Sequence, residues 1–389
     1  MCICKYWNEV FIIKKIISLI LAAALCLSLS GCKKGENTDP VAPGTSPKQD
    51  KPVVIEQRDY NYLTGKAFTD GQDKTARPIA VMINNAKLAL PQSGLESADL
   101  IYEMVTEGGI TRLMALYSDI NTMGVVGPVR SARDQFVQFL LPLNAVYVHI
   151  GTSIYAKEML NFYSYQDIDG LYLGTTSFDF DKERNKDRGS EHCWYTKPNL
   201  IADGVAAAGI NMTGNLYPAF NFADYSKEPV VLENGKDAVE IYFRFSDYAD
   251  ASLTYNQADN RYYKTSLGVP QMDQQTGTQV SFDNFILLAT DITLKPDGLC
   301  TEFDLSQGNG YYFYGGKQIP IKWLKGAPES PLQLFDAKGN PIQVNVGKTY
   351  VAILGNDMLE TMKVSAVPTP PAEAPAEAPA EAPAEAPAA

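Results

Sequence analysis

The sequence predicts an α/β (α+β) amino-terminal domain built on a mixed sheet, followed by a smaller, mostly antiparallel β domain. Three observations carry this. Short apolar runs alternate with helix-periodic stretches up to about residue 220, period-two alternation and closely spaced turns take over beyond it, and both chain ends shift abruptly in composition. The expected boundaries are 1–31 for a leader, 32–58 for a tether, 59–220 and 221–365 for the two domains, and 366–389 for a tail.

In the first domain, Pro78–Ile83 is a short apolar run that fits a buried strand and ends at Asn84-Asn85. Leu100–Thr106 and Thr111–Tyr117 flank Glu107-Gly108-Gly109-Ile110, whose adjacent glycines permit the positive φ of a tight connection, so a β-hairpin is expected there. Ser131 stands as the N-cap of a helix through Leu141, with Phe136, Val137, Leu140 and Leu141 at helical spacing and Pro142 beyond. Ala145–Ile150 is a second buried strand, Gly151-Thr152-Ser153 a turn, and Ile154–Phe162 a helix.

The second domain begins with Ile241, Phe243 and Phe245 alternating with polar neighbours, the period of a half-buried strand. Turns are expected at Asp259-Asn260, Gly308-Asn309-Gly310 and Lys338-Gly339-Asn340, each between strand-like runs. The many tyrosines, at 242, 255, 262, 263, 311, 312, 314 and 350, suit either a platform for sugars or peptides or the interior of a sheet, since strands favour aromatic residues anyway.

The amino terminus reads as an address. Lys14 and Lys15 precede an apolar run from Ile16 to Leu29, too short to span a bilayer, and Ser30-Gly31 precedes Cys32. This pattern resembles the bacterial lipobox, whose cysteine is acylated and becomes the first mature residue, and the resemblance implies a lipid-anchored protein on the extracytoplasmic face of the cell membrane. The polar, proline-containing stretch from Lys33 to Asp50 reads as a tether, and the Ala-Pro-Ala-Glu repeat from Pro368 reads as a disordered tail that buries nothing.

The whole chain carries a net charge of −12. Removing residues 1–31 takes three lysines and one glutamate with it, leaving 30 basic against 44 acidic residues and a charge of −14. Such a body is not expected to bind nucleic acid, and an anionic ligand needs a local cluster of arginines rather than the general field. Only Cys193 and Cys300 lie in the folded body, either paired or as two free thiols.

Candidate chemistry concentrates in the first domain. His149 ends an apolar strand, where α/β folds expose side chains to a ligand crevice, and His192 sits in a polar loop before Trp194-Tyr195. Either imidazole is a candidate general acid or base, with Glu107 as a second carboxyl group, or a plain hydrogen-bonded core residue. Arg130, Ser131 and Arg133 bracket the expected helix start, and with Arg112 they form a candidate phosphate or carboxylate site. The alternative is an ion-pair network of these arginines with Glu103, Glu107 and Asp134. No HExxH or paired CxxC spacing supports a zinc site at His149, His192 and Glu191, and no cofactor is indicated. Ser153 lacks the G-x-S-x-G context of a hydrolase nucleophile.

At these residues the chain resembles a family. Pro78–Asn85, Pro91–Leu95, Ala98–Glu103, Glu107–Arg112, Gly127–Arg133 and Val148–Gly151 are similar to the YerB-type lipoproteins of Gram-positive bacteria, a family without an established activity. Tyr314–Lys317, Ile321–Trp323 and Gly347–Tyr350 resemble its carboxyl-terminal half. The resemblance covers about residues 60 to 360 and implies a mixed first domain and a smaller β-rich second one. Where the family shows a Pro-His-Asn-like step before Tyr-Thr, this chain has Glu191-His192-Cys193-Trp194-Tyr195-Thr196. The expected role is binding of an anionic or carbohydrate-like envelope ligand or scaffolding of an envelope complex, with hydrolysis or group transfer on envelope polymer as the alternative.

Overall fold

In the computed structural model, residues 59–367 are described, and they lie within one compact unit. The leader, Cys32, the tether and the repeat tail from Pro368 lie outside the described residues.

The first region forms as its apolar periodicity dictates. Strand β1 (Ile79–Asn84) is followed by β2 (Leu100–Val105) and β3 (Thr111–Tyr117), all wholly buried. Strands β2 and β3 are the predicted hairpin, turning through Gly108 and Gly109 at φ of 72° and 75°. Helix α1 (Asp134–Leu140) precedes β4 (Val146–His149), and Ser153 caps helix α2 (Ile154–Phe162) by accepting the Ala156 N–H at 3.1 Å. Strand β5 (Asp167–Asp169) leads into α3 (Gly170–Leu173). Parallel pairing of β1 with β4 and of β4 with β5, beside the antiparallel β1–β3 pair, makes the sheet mixed.

The second region is mostly antiparallel. Its smaller sheet contains Glu240–Arg244, Asp250–Asn256 and Arg261–Ser266, with the predicted turn at Asp259-Asn260. Four strands, Gln333–Phe335, Lys317–Leu324, Gln307–Tyr314 and Asn284–Thr290, run edge to edge, and Thr349–Gly355 pairs in parallel with both Asn284–Thr290 and β2. The two regions therefore share one sheet of eleven strands across the β2 seam, and the smaller sheet packs on it through Phe243 stacked on Phe285 at 5.5 Å.

Two local expectations are corrected. Gly308-Asn309-Gly310 is not a turn but lies inside the strand Gln307–Tyr314. A Cβ at Gly308 would collide with the Ala289 carbonyl and the Trp323 indole, and one at Gly310 with the Leu287 carbonyl, so these glycines allow close backbone approach. The α1 helix starts at Asp134, with Arg133 rather than Ser131 at the N-cap and no side-chain cap. Ser131 is committed to an extended segment described below. Of the tyrosines, Tyr262, Tyr312 and Tyr350 are fully buried, which makes them core rather than platform. Cys193 and Cys300 are both buried and free.

Candidate functional site

Strands β1 and β4 pair only as far as Val81 and Val148, then separate. The stretch Val129–Ala132 enters the gap as an extended wedge. The Arg130 N–H donates to the Met82 carbonyl at 2.9 Å and its carbonyl accepts from Ile150 at 3.1 Å, while Ala132 donates to Gly151 at 2.9 Å. Arg130, Ser131 and Arg133 are thus held at the carboxyl ends of β1 and β4, the edge where α/β sheets place ligands. Arg112 reaches the same edge from the start of β3, where it is in register with Asn84.

Five of the sequence-predicted residues come together here. Arg133 Nε donates to Glu107 Oε1 at 2.5 Å and Arg112 Nη2 lies 3.9 Å from Glu107 Oε2. Arg112 Nη1 donates to the Ser131 carbonyl at 2.6 Å, and that carbonyl is the part Ser131 contributes. Arg130 completes the cluster, with Glu107, Arg133 and Glu191 acting on its charge. The other two acids of the proposed network are engaged elsewhere. Glu103 is paired with Lys264 at 3.0 Å and Asp134 with Lys295 at 2.9 Å. Arg112 and Arg133 are left sharing the Glu107 carboxylate, with Arg130 beside them in the field of Glu191 and Glu107.

The electrostatics reflect that imbalance. Burial, reinforced by the neighbouring Arg133, pulls the Arg112 guanidinium down to about 9. Arg130 is lowered for the same first reason. Glu107 is pushed up by burial, but the Arg133 hydrogen bond and charge outweigh this and hold it below the usual carboxylate range. Arg112 Nε, Arg130 Nε and the Tyr147 hydroxyl are buried with no hydrogen-bond partner. Tyr147 is fully buried and feels the charges of Arg112 and Arg133, so it belongs to this cluster although the sequence reading passed over it. The signal was present: in Val146–His149 the strand period places Tyr147 on the same face as His149, and their rings lie 4.8 Å apart.

The two histidines have separate partner sets. His149 is fully buried, with Nδ1 3.0 Å from the Gly151 carbonyl and Nε2 2.8 Å from Asp167 Oδ2, so both ring nitrogens face acceptors of the protein itself. His192 Nδ1 accepts from Asn84 Nδ2 at 2.8 Å, and its Nε2 lies 3.7 Å from Glu191 Oε1. Burial lowers the His192 imidazole, and the charges of Arg130, Arg184 and Arg188 act in the same direction against Glu191. Arg130 thus links the His192 side of the edge to the Glu107 side. Among the described residues there is no group of three or more His, Cys, Asp or Glu arranged to hold a metal ion.

Comparison with known proteins gives consistent matches over both regions. Residues 63–211 match the N-terminal domain, and residues 240–351 the C-terminal domain, of the family described as protein of unknown function DUF3048. "Putative lipoprotein YerB" of Bacillus subtilis (strain 168) is 31% identical over 304 residues, covering 75% of this chain and 85% of the relative. The crystal structure of the YerB protein from Bacillus subtilis superposes with a TM-score of 0.68 at 26% identity, covering 79% of this chain and 99% of that one.

Proposed function

The chain belongs to the DUF3048 family of two-domain proteins of unknown function, and from that premise we propose that it is a lipoprotein, anchored through Cys32 outside the cell membrane, that binds an anionic ligand. The ligand presents a phosphate or carboxylate to Arg112, Arg130 and Arg133, with the Tyr147 hydroxyl as a further donor. One observation carries this reading: buried Arg112 Nε, Arg130 Nε and Tyr147 Oη all lack partners in a cluster where Arg112 and Arg133 share Glu107 and Arg130 feels the charges of Glu191 and Glu107. A buried donor without a partner costs about 1–3 kcal/mol, more when charged, so a ligand that satisfies several at once gains that much in affinity. His149 has no ring nitrogen left for a substrate proton, so an acid–base step on an envelope polymer would have to run through His192, whose Nε2 lies 3.7 Å from Glu191 Oε1.

Thermal melts across a phosphate titration at fixed ionic strength test it. Saturable binding should raise stability by about 2.7 kcal/mol at a hundredfold excess over Kd. Arg130→Ala should weaken the response. A wild type without any saturable phosphate effect, together with a large loss of stability in Arg130→Ala, would mean that these arginines serve the fold alone.

A further inference from the structure

Beside the arginines stands an apolar rim that the fold does not use. Ile154 is 62% exposed, Leu171 70% and Tyr172 76%, and no residue of the single-turn helix α3 is buried. The rim is joined directly to the site. Asp169 Oδ1 accepts both the Gly151 N–H at 2.8 Å and the Leu171 N–H at 3.0 Å, which fixes α3 against the loop leading to Ile154. A Cβ built on Gly151 would lie 3.4 Å from Leu171 Cδ1 and 3.4 Å from Ser131 Oγ, so these two atoms are at most 6.8 Å apart. Ser131 is the residue whose carbonyl holds Arg112.

The half-buried Arg130 and Arg133 next to exposed Ile, Leu and Tyr match one kind of surface: anionic phosphates above hydrocarbon. We propose that this edge docks on the bilayer, with the arginines taking the phosphate of an anionic phospholipid and Ile154, Leu171 and Tyr172 entering the interfacial layer. The proposal rests on the anion-binding reading above and names its ligand. Charge complementarity is local: the chain as a whole is at −12, while Arg112, Arg130 and Arg133 gather at this edge with Glu107. Tyrosine is suited to the interface, where its ring is shielded and its hydroxyl stays wet. Chain length argues for a second contact as well. The 26 residues between Cys32 and Asp59 reach at most about 90 Å, so an anchor at Cys32 leaves the body free to stand off the membrane. The same tether raises the effective lipid concentration at the site, so a weak headgroup site suffices.

Residues 55–389, which contain the described body with its core and lack Cys32, serve for the test. Co-sedimentation is measured with vesicles of phosphatidylcholine alone and of phosphatidylcholine containing phosphatidylglycerol, alongside the thermal shift in inorganic phosphate. The expected result is binding to the anionic vesicles only. Leu171→Asn weakens vesicle binding by about tenfold and leaves the phosphate shift unchanged, whereas Arg130→Ala weakens both. A normal phosphate shift with no vesicle binding overturns the membrane proposal and leaves the anion site standing. No phosphate shift removes the anion site and this proposal with it. Equal binding to neutral vesicles, or binding indifferent to Arg130→Ala, overturns the role given to the headgroup.

Discussion

Replacing Lys264 by Met tests what holds the two regions together. Glu103 on β2 and Lys264 on the smaller sheet are each 1% exposed, and their charges meet at 3.0 Å. Glu103 also accepts from Asn85 at 2.8 Å, Thr111 at 2.7 Å and Tyr350 at 2.6 Å, while Lys264 donates to Gln271 at 2.7 Å. Removing one partner of a buried pair leaves an uncompensated charge and costs about 3–5 kcal/mol. Because three donors remain on Glu103, the lower end, about 3 kcal/mol, applies. Unfolding entropy of roughly 2 cal/mol/K per residue over about 300 residues converts this to a fall in Tm of about 5 °C. Calorimetric melts of residues 55–389 measure it. Glu103→Gln should also destabilise, and the double variant should lose clearly less than the two single losses combined, because neither charge is then stranded. A Lys264→Met protein melting within about 1 °C of wild type, or strict additivity, would refute the claim that this pair fastens the seam.

Two further outcomes are expected. Leu267 and Gly268 form the tight turn after Arg261–Ser266, with φ of 53° and 74°. A leucine is strained in that region, so Leu267→Asn should raise stability by about 1 kcal/mol in a urea melt, and a loss would show that the leucine side chain contributes more than its backbone strain costs. His192 is lowered by burial from its ordinary 6.5, so as pH falls through that value the unfolded chain takes up the proton first and the folded state loses stability. Melts from pH 7.5 to 5 should show wild type losing more than His192→Gln, and identical slopes would mean that the imidazole is not held neutral by its surroundings.

Local pattern made much of the fold legible. The Glu107-Gly108-Gly109 hairpin, the 154–162 helix and the alternation through Ile241 and Phe243 follow from residue order alone, because each is decided within a few positions. The seam between β2 and Thr349–Gly355 was not legible, since pairing across some 250 positions leaves no mark on periodicity. Gly308 and Gly310 read as a turn because glycine signals both flexibility and close approach, and only the neighbouring strands decide which. Ser131 read as a cap because its neighbours resemble a helix start, whereas the separation of β1 and β4 draws it into extended pairing. At the candidate site, the proximity of Glu107 to Arg112 and Arg133 was foreseeable as one of two alternatives. What the sequence left open was the assignment of Glu103 and Asp134 to Lys264 and Lys295, lysines more than 150 positions away, which is what leaves the arginines in excess.

The arginine Nε–H resonances of 15N-labelled residues 55–389 test the anion site most directly. Arg112 and Arg130 each carry a buried Nε without a partner. On addition of phosphate at constant ionic strength, their two Nε–H signals, assigned by Arg→Lys substitution, should move saturably, with the same midpoint as the thermal shift. If those two signals stay fixed while exposed arginines drift in proportion to phosphate, the cluster does not bind the anion and the proposed function is wrong.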